Sequence, residues 1–205
     1  MKQTKLFFSA ILMAMMVIGC SSSSSLSKEV KKFTAEGWQV APGALPMDKQ
    51  LERSWKMQSE VDENKMPKYI MGEAMSIGEN YDAAKMQALE LAKQNLAGQI
   101  QTEVTALIEN TVANKQIERE QAASITQTVS ASKNLISQSL GRTIPVVELY
   151  RVKGNKNKEV LVRIAYSEEM AMQAAKKVIR EELEKKGEDL HNQLDCIMLG
   201  VCPVK

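Results

Sequence analysis

Histidine is nearly missing from this chain: His191 is the only one in 205 residues. That removes the side chain most used for proton transfer at neutral pH and for binding transition metals. A Ser–His arrangement would have to rest on His191, which follows a charged stretch and sits beside the last two cysteines. That is a poor place for a preorganised site. A zinc site would need more ligands nearby than this one histidine supplies. A phosphate-cradling loop is also missing, since Gly72, Gly78 and Gly98 are too scattered to form one. Net charge is lacking too: 27 basic residues face 25 acidic ones, and Lys2 and Lys5 account for the excess. Nothing in that balance suggests nucleic acid, which favours a clustered basic surface. Acid pairs such as Glu181-Glu182 and Glu118 with Glu120 lie among lysines and arginines and read as solvated helix faces. The sequence therefore predicts no enzyme, with no catalytic residue, metal or cofactor.

A membrane-spanning run is absent as well. The apolar stretch Leu6 to Ile18 is too short to cross a bilayer and ends in small residues. What it does resemble is a lipoprotein signal peptide. Lys2 and Lys5 form the charged start, and Val17-Ile18-Gly19-Cys20 is a lipobox. Val17, Ile18 and Gly19 are then the signal-peptidase recognition residues, and Cys20 carries the lipid, because only its sulfur can form the thioether to diacylglycerol. Two or three palmitate-like chains, each CH₂ contributing about 0.8 kcal/mol on burial in lipid, give a durable anchor. Ser21 follows the cysteine where an aspartate would argue for inner-membrane retention. The expected address is the outer membrane, facing the periplasm, with surface exposure the less favoured option.

Cysteine is scarce, three residues in all. With Cys20 taken by lipid, Cys196 and Cys202 remain as a near pair in an exported chain, and an oxidising periplasm predicts a disulfide between them. The organisation expected is a removed signal peptide over 1–19; a lipidated, Ser-rich tether and Trp-containing segment over 20–66; an α+β domain over 67–187; and a cysteine-bearing tail over 188–205. Ser21 to Ser25 reads as a flexible spacer. Lys28, Lys31 and Lys32 follow it closely enough to touch acidic headgroups, but Glu29 dilutes them, and a solvated tether is the favoured reading.

Ahead of the domain, Trp38-Gln39-Val40 reads as a short extended piece, and Met47, Leu51 and Trp55 predict a helix over Asp48 to Val61. Both tryptophans are expected to cap the core, with an exposed partner-docking strip as the alternative. Tyr69 to Gly78 alternates as a strand, with Ile70, Gly72, Ala74 and Ser76 forming a small-residue face. A helix begins after Asn80, its N-cap, with an apolar stripe at Met86, Leu89, Leu96, Ile100, Val104 and Leu107 and with Ala88, Ala92 and Ala97 beside it. A second stripe follows at Ile125, Val129, Ile136 and Leu140, with Gly141 as its C-terminal glycine and a break expected near Asn114. Thr143 to Val152 and Val160 to Tyr166 predict a hairpin, with Ile144, Val146, Tyr150 and Val152 on one face. Ser167 caps a last helix to about Lys186 whose buried face is Met170, Ala174, Val178 and Leu183. Thirteen methionines lie partly in the signal and otherwise read as core filling rather than a metal-binding box. The sum is an α+β domain, a small antiparallel sheet with helices packed on it.

The lipobox, Gly72-Glu73-Ala74, Asp82-Ala83-Ala84-Lys85-Met86-Gln87-Ala88, Ala92-Lys93-Gln94-Asn95-Leu96-Ala97 and the late strand Glu159 to Tyr166 together resemble the LPP-twenty (20 kDa) outer-membrane lipoprotein family. The resemblance covers about 67–187. It implies a helix on a small sheet and a role in envelope structure or assembly, and it brings no catalytic residues. Two functions are expected from these readings. The first is a non-catalytic structural or assembly lipoprotein, held to the membrane through Cys20 and binding other envelope proteins or copies of itself. The alternative is a small-ligand-binding lipoprotein with a pocket between sheet and helix.

Overall fold

The computed structural model describes residues 22–154 and 156–202. The element order is α1 (Ser22–Ala35), α2 (Met47–Ser59), β1 (Tyr69–Gly78), α3 (Tyr81–Ala113), α4 (Arg119–Ala131), α5 (Lys133–Ser139), β2 (Ile144–Lys153), β3 (Asn157–Ser167), α6 (Glu168–Lys185) and α7 (His191–Leu199). The three strands form one antiparallel sheet in the order β1-β3-β2. The chain is α+β, with helices on both faces of a small sheet.

β1 spans the residues its alternation predicts. Its even-numbered face is small, and the reason is α3. Gly72 lies so near that helix that an added Cβ would stand 2.3 Å from the Ala92 carbonyl oxygen. Ala84, Ala88 and Ala92 are fully buried against this face, so helix and strand approach closely through small residues. The apolar stripe holds at Leu96, Ile100 and Val104 and at the alanines expected beside it, Ala88, Ala92 and Ala97, but it shifts away from Met86, which is 74% exposed. Asn80 caps the helix as predicted, its Oδ1 accepting the Ala83 N–H at 2.9 Å.

α3 runs 33 residues and ends at Asn114, where the apolar density drops. Two helices follow rather than one, because the chain breaks again at Ser132. The second stripe is spent inside the molecule: Ile125, Val129, Ile136 and Leu140 all lie in the main core with Ile100, Val104 and Ile179. Gly141 is not a left-handed cap, since it is absent from the positive-φ glycines; its N–H instead donates to the Tyr166 hydroxyl at 3.2 Å. In α6 the Ser167 cap holds, but the buried face is Ala171, Ala175, Val178, Ile179 and Leu183. Met170 is 54% exposed, because the alanines one position on permit the closer packing. α7 buries Leu194, Cys196 and Ile197 in the same core.

The other face of the sheet is covered by α1 and α2. Ser22 to Ser25, expected as flexible spacer, form the first turn of α1. The helix is held by Leu26, Val30 and Phe33, which pack on Trp38, Leu51, Leu149 and Leu161. Trp38 is buried, with the Arg151 guanidinium 4.4 Å from its ring centroid, whereas Trp55 is only half-buried. A register shift between Pro145 and Val147 switches β2 over. Ile144 and Val146 therefore pack with Met57 on the α2 side, while Tyr150 joins the opposite, α3-side core. Methionine fills the core in part: Met57 is buried and Met47, Met71, Met172 and Met198 pack against the core clusters, whereas Met66, Met75, Met86 and Met170 are each more than half exposed.

Candidate functional site

Both sheet edges are partly closed to further strands. On β2, Gln39 and Tyr150 exchange backbone hydrogen bonds at 2.8 and 2.9 Å, and the Glu148 N–H donates to Gln50 Oε1 at 2.7 Å. On β1, Asn95 and Gln99 of α3 donate side-chain N–H groups to the carbonyls of Glu73 and Met71. Such plugs discourage edge-to-edge pairing. What stays open is a face. α2 reaches β1 mainly at its start, where Met57 packs with Tyr69 and Met71. Beyond that point Met75 is 53% and Ile77 48% exposed on the same side of the strand. Arg163 bounds the patch, donating to Glu73 and, at 2.8 Å, to the buried Ser54 hydroxyl. The alternation places Met75 and Ile77 on one face, but nothing in it says that the helices above would stop short of them.

The space between sheet and α3 is filled. Besides the Gly72 contact, a Cβ on Gly78 would meet the Ala84 backbone at 2.8 Å, and Ser76 donates to Gln87 at 2.6 Å. Cavities lie elsewhere. One of 490 Å³ is lined by Asp62, Met66, Lys68, Tyr69, Glu168 and Met172 among others. Burial, then the nearby Asp62 charge, holds the Glu168 carboxyl above its usual range. Asp62 is occupied with its own turn, accepting the N–H groups of Asn64 and Met66. The pocket's one serine, Ser167, is spent as the N-cap of α6, its hydroxyl accepting the Met170 N–H. At the start of α3, the Tyr81 hydroxyl donates to Glu148, and Lys85 Nζ lies 2.8 Å from the same carboxylate. Burial first, and then that bond, pushes the phenol well above its ordinary range, so Tyr81 is a neutral donor that ties α3 to β2.

Of the residues singled out from sequence, Val17, Ile18, Gly19 and Cys20 lie outside the described residues. Cys196 and Cys202 are joined in a disulfide with a Cα–Cα distance of 4.2 Å. Gly200, left-handed at φ 70°, ends α7 and turns the chain back so that they meet. His191 stands at the start of α7, its Nε2 3.4 Å from Glu184. Among the described residues no group of three His, Cys, Asp or Glu could hold a metal ion, and no helix is long and apolar enough to cross a membrane. No family model matches the chain, and no curated protein or solved structure matches it either.

Proposed function

We propose that this chain is a lipoprotein anchored through Cys20 in the outer membrane, facing the periplasm, with a non-catalytic structural or assembly role, and that it binds other envelope proteins or a second copy of itself. The lipobox Val17-Ile18-Gly19-Cys20 supports the anchor. The observation that carries the binding role is the uncovered stretch of β1, where Met75 and Ile77 stay about half exposed on one face. Two apolar side chains left on one strand face offer a contact point for another protein, and flexible methionine suits a surface that adapts to its partner. The resemblance of 67–187 to the LPP-twenty family belongs to the same reading. No observation favours the small-ligand alternative, because Gly72, Gly78 and the buried alanines of α3 occupy the space it requires.

Two measurements test the proposal. Cells fed labelled palmitate should yield a labelled protein, and Cys20→Ala should lose the label; an unlabelled wild-type protein would remove the anchor. A photo-reactive residue at position 75 or 77 should crosslink to an envelope protein or a second copy, while one at the exposed Lys177 on α6 should not. Uncrosslinked monomer at both β1 positions would remove the binding role.

A further inference from the structure

In the sequence Lys28, Lys31 and Lys32 look diluted by Glu29, but the structure separates them. With Leu26, Val30 and Phe33 turned to the core, the three lysines fall at i, i+3 and i+4 on the opposite, solvent-facing side of α1. Glu29 is half-buried on the flank. Glu36, the other acid near this helix, is engaged by Arg151 and by the Trp38 indole N–H. α2 packs beside α1 on the same side of the sheet and adds Arg53 and Lys56, both exposed. Of its acids, Glu52 is taken by Lys49 at 2.9 Å, and Asp48 in the first turn is exposed, a single charge set against the five cations of the layer. None of Lys28, Lys31, Lys32, Arg53 and Lys56 has an ion pair among the described residues. A chain that balances its charges overall thus carries five unpaired cations on one helical layer.

The position of this layer matters as much as its charge. α1 begins at Ser22, so one residue separates the helix from Cys20, a reach of about 7 Å even when extended. Lys28 and Lys32 then follow about 9 and 15 Å along the helix. We propose that the outward face of α1, continued by α2, lies on the headgroups of an anionic bilayer and fixes how the domain stands on the membrane. Instead of swinging on a loose tether, the domain would present one side to the lipid. The uncovered stretch of β1, on that same side, would then be met by another protein held at the membrane. The short reach rests on the anchor reading; the charge complementarity does not.

The test uses full-length protein extracted from membranes in detergent and returned to vesicles of phosphatidylcholine alone or rich in phosphatidylglycerol. Flotation with the neutral vesicles at any salt reports the anchor. Amine-reactive labelling then reports docking. Lys28, Lys31 and Lys32 should be shielded several-fold in anionic vesicles only, with the shielding lost at high salt, while Lys177 on α6 labels equally throughout. Equal labelling of the three lysines in both vesicles would overturn the docking, whatever the anchor does. If the protein fails to float with neutral vesicles, the anchor reading fails, and salt-sensitive flotation with anionic vesicles decides the docking by itself. In that case each lysine is worth about fivefold in binding, so Lys28→Gln/Lys31→Gln/Lys32→Gln should weaken it by about a hundredfold. No flotation with either vesicle would overturn both readings.

Discussion

Gly72 and Ala92 meet backbone to backbone: the Cβ that Gly72 lacks would stand 2.3 Å from the Ala92 carbonyl oxygen. Neither partner can give way cheaply, since one is a central residue of β1 and the other a helical carbonyl of α3. Gly72→Ala should therefore destabilise the domain by about 1–3 kcal/mol, as overpacking does. Gly98 offers the contrast within the same helix. A Cβ there would meet only the flexible end of Lys133 at 3.5 Å, so Gly98→Ala should stabilise by up to about 1 kcal/mol through helix propensity. Urea unfolding of the two variants checks both signs.

Two carboxylates should move stability in opposite directions with pH. Burial, helped by the nearby Glu168 charge, raises Glu103 above its usual range. Its folded form resists ionisation, so it favours folding below the unfolded carboxylate range near pH 4 and that contribution is lost as pH rises through the folded value. Glu103→Gln should raise the melting temperature at pH 7, and the gain should vanish in acid. Asp195 is the reverse case. The Lys176 ammonium at 2.8 Å, with Arg180 at 2.7 Å, holds it below its usual range. Its stabilisation is present above the unfolded range and lost as pH falls through the folded value. Asp195→Asn should lower the melting temperature at pH 7 and match the wild type in strong acid. Melting curves across pH would fail this account if either difference were pH-independent.

Gln50 is buried and works at both ends of its amide. Its Nε2 donates to the Leu45 carbonyl at 2.7 Å, and its Oε1 accepts the Glu148 N–H of the β2 edge. Gln50→Leu keeps the volume and strands both backbone groups. It should cost about 2 kcal/mol, and by unplugging the β2 edge it should raise the tendency to aggregate on refolding. Denaturant unfolding and light scattering read the two effects separately.

Elements with one clear period were legible from sequence. β1 alternates cleanly and spans the predicted Tyr69 to Gly78, and Asn80 announces the start of α3 through its capping chemistry. Faces were harder to read. Met86 outranks alanine in any tally of hydrophobicity, yet the glycine-bearing face of β1 selects Ala84, Ala88 and Ala92, because close approach outweighs side-chain size there. Serines hid α1, since Ser21 to Ser25 has no apolar period, although Leu26, Val30 and Phe33 stand at i, i+4 and i+7 just beyond. The register shift at Pro145 could not be read from alternation, which continues in the sequence while the strand turns over. The uncovered face of β1 was the least visible of all. Its exposure depends on how far α1 and α2 reach across the sheet, which no local pattern encodes.

The disulfide pair was legible, but its weight in the fold was not. Read as a loop closure alone, joining Cys196 to Cys202 constrains a short segment and stabilises by about 2 kcal/mol. The structure adds a second contribution, because Cys196 is itself a core residue beside Leu194 and Ile197. The turn at Gly200 and the bond to Cys202 hold the end of α7, and α7 in turn presents Asp195 to Lys176 and Arg180 of α6. Opening the bond frees the end of a nine-residue helix, too short to hold its shape without such packing. Cys202→Ala should therefore cost more than the loop term. It should also raise amide exchange first along α7 and leave β1 protected until global unfolding. If exchange rose equally in β1 and α7, the tail would not be a separately opening unit, and the bond would be stabilising the whole domain at once.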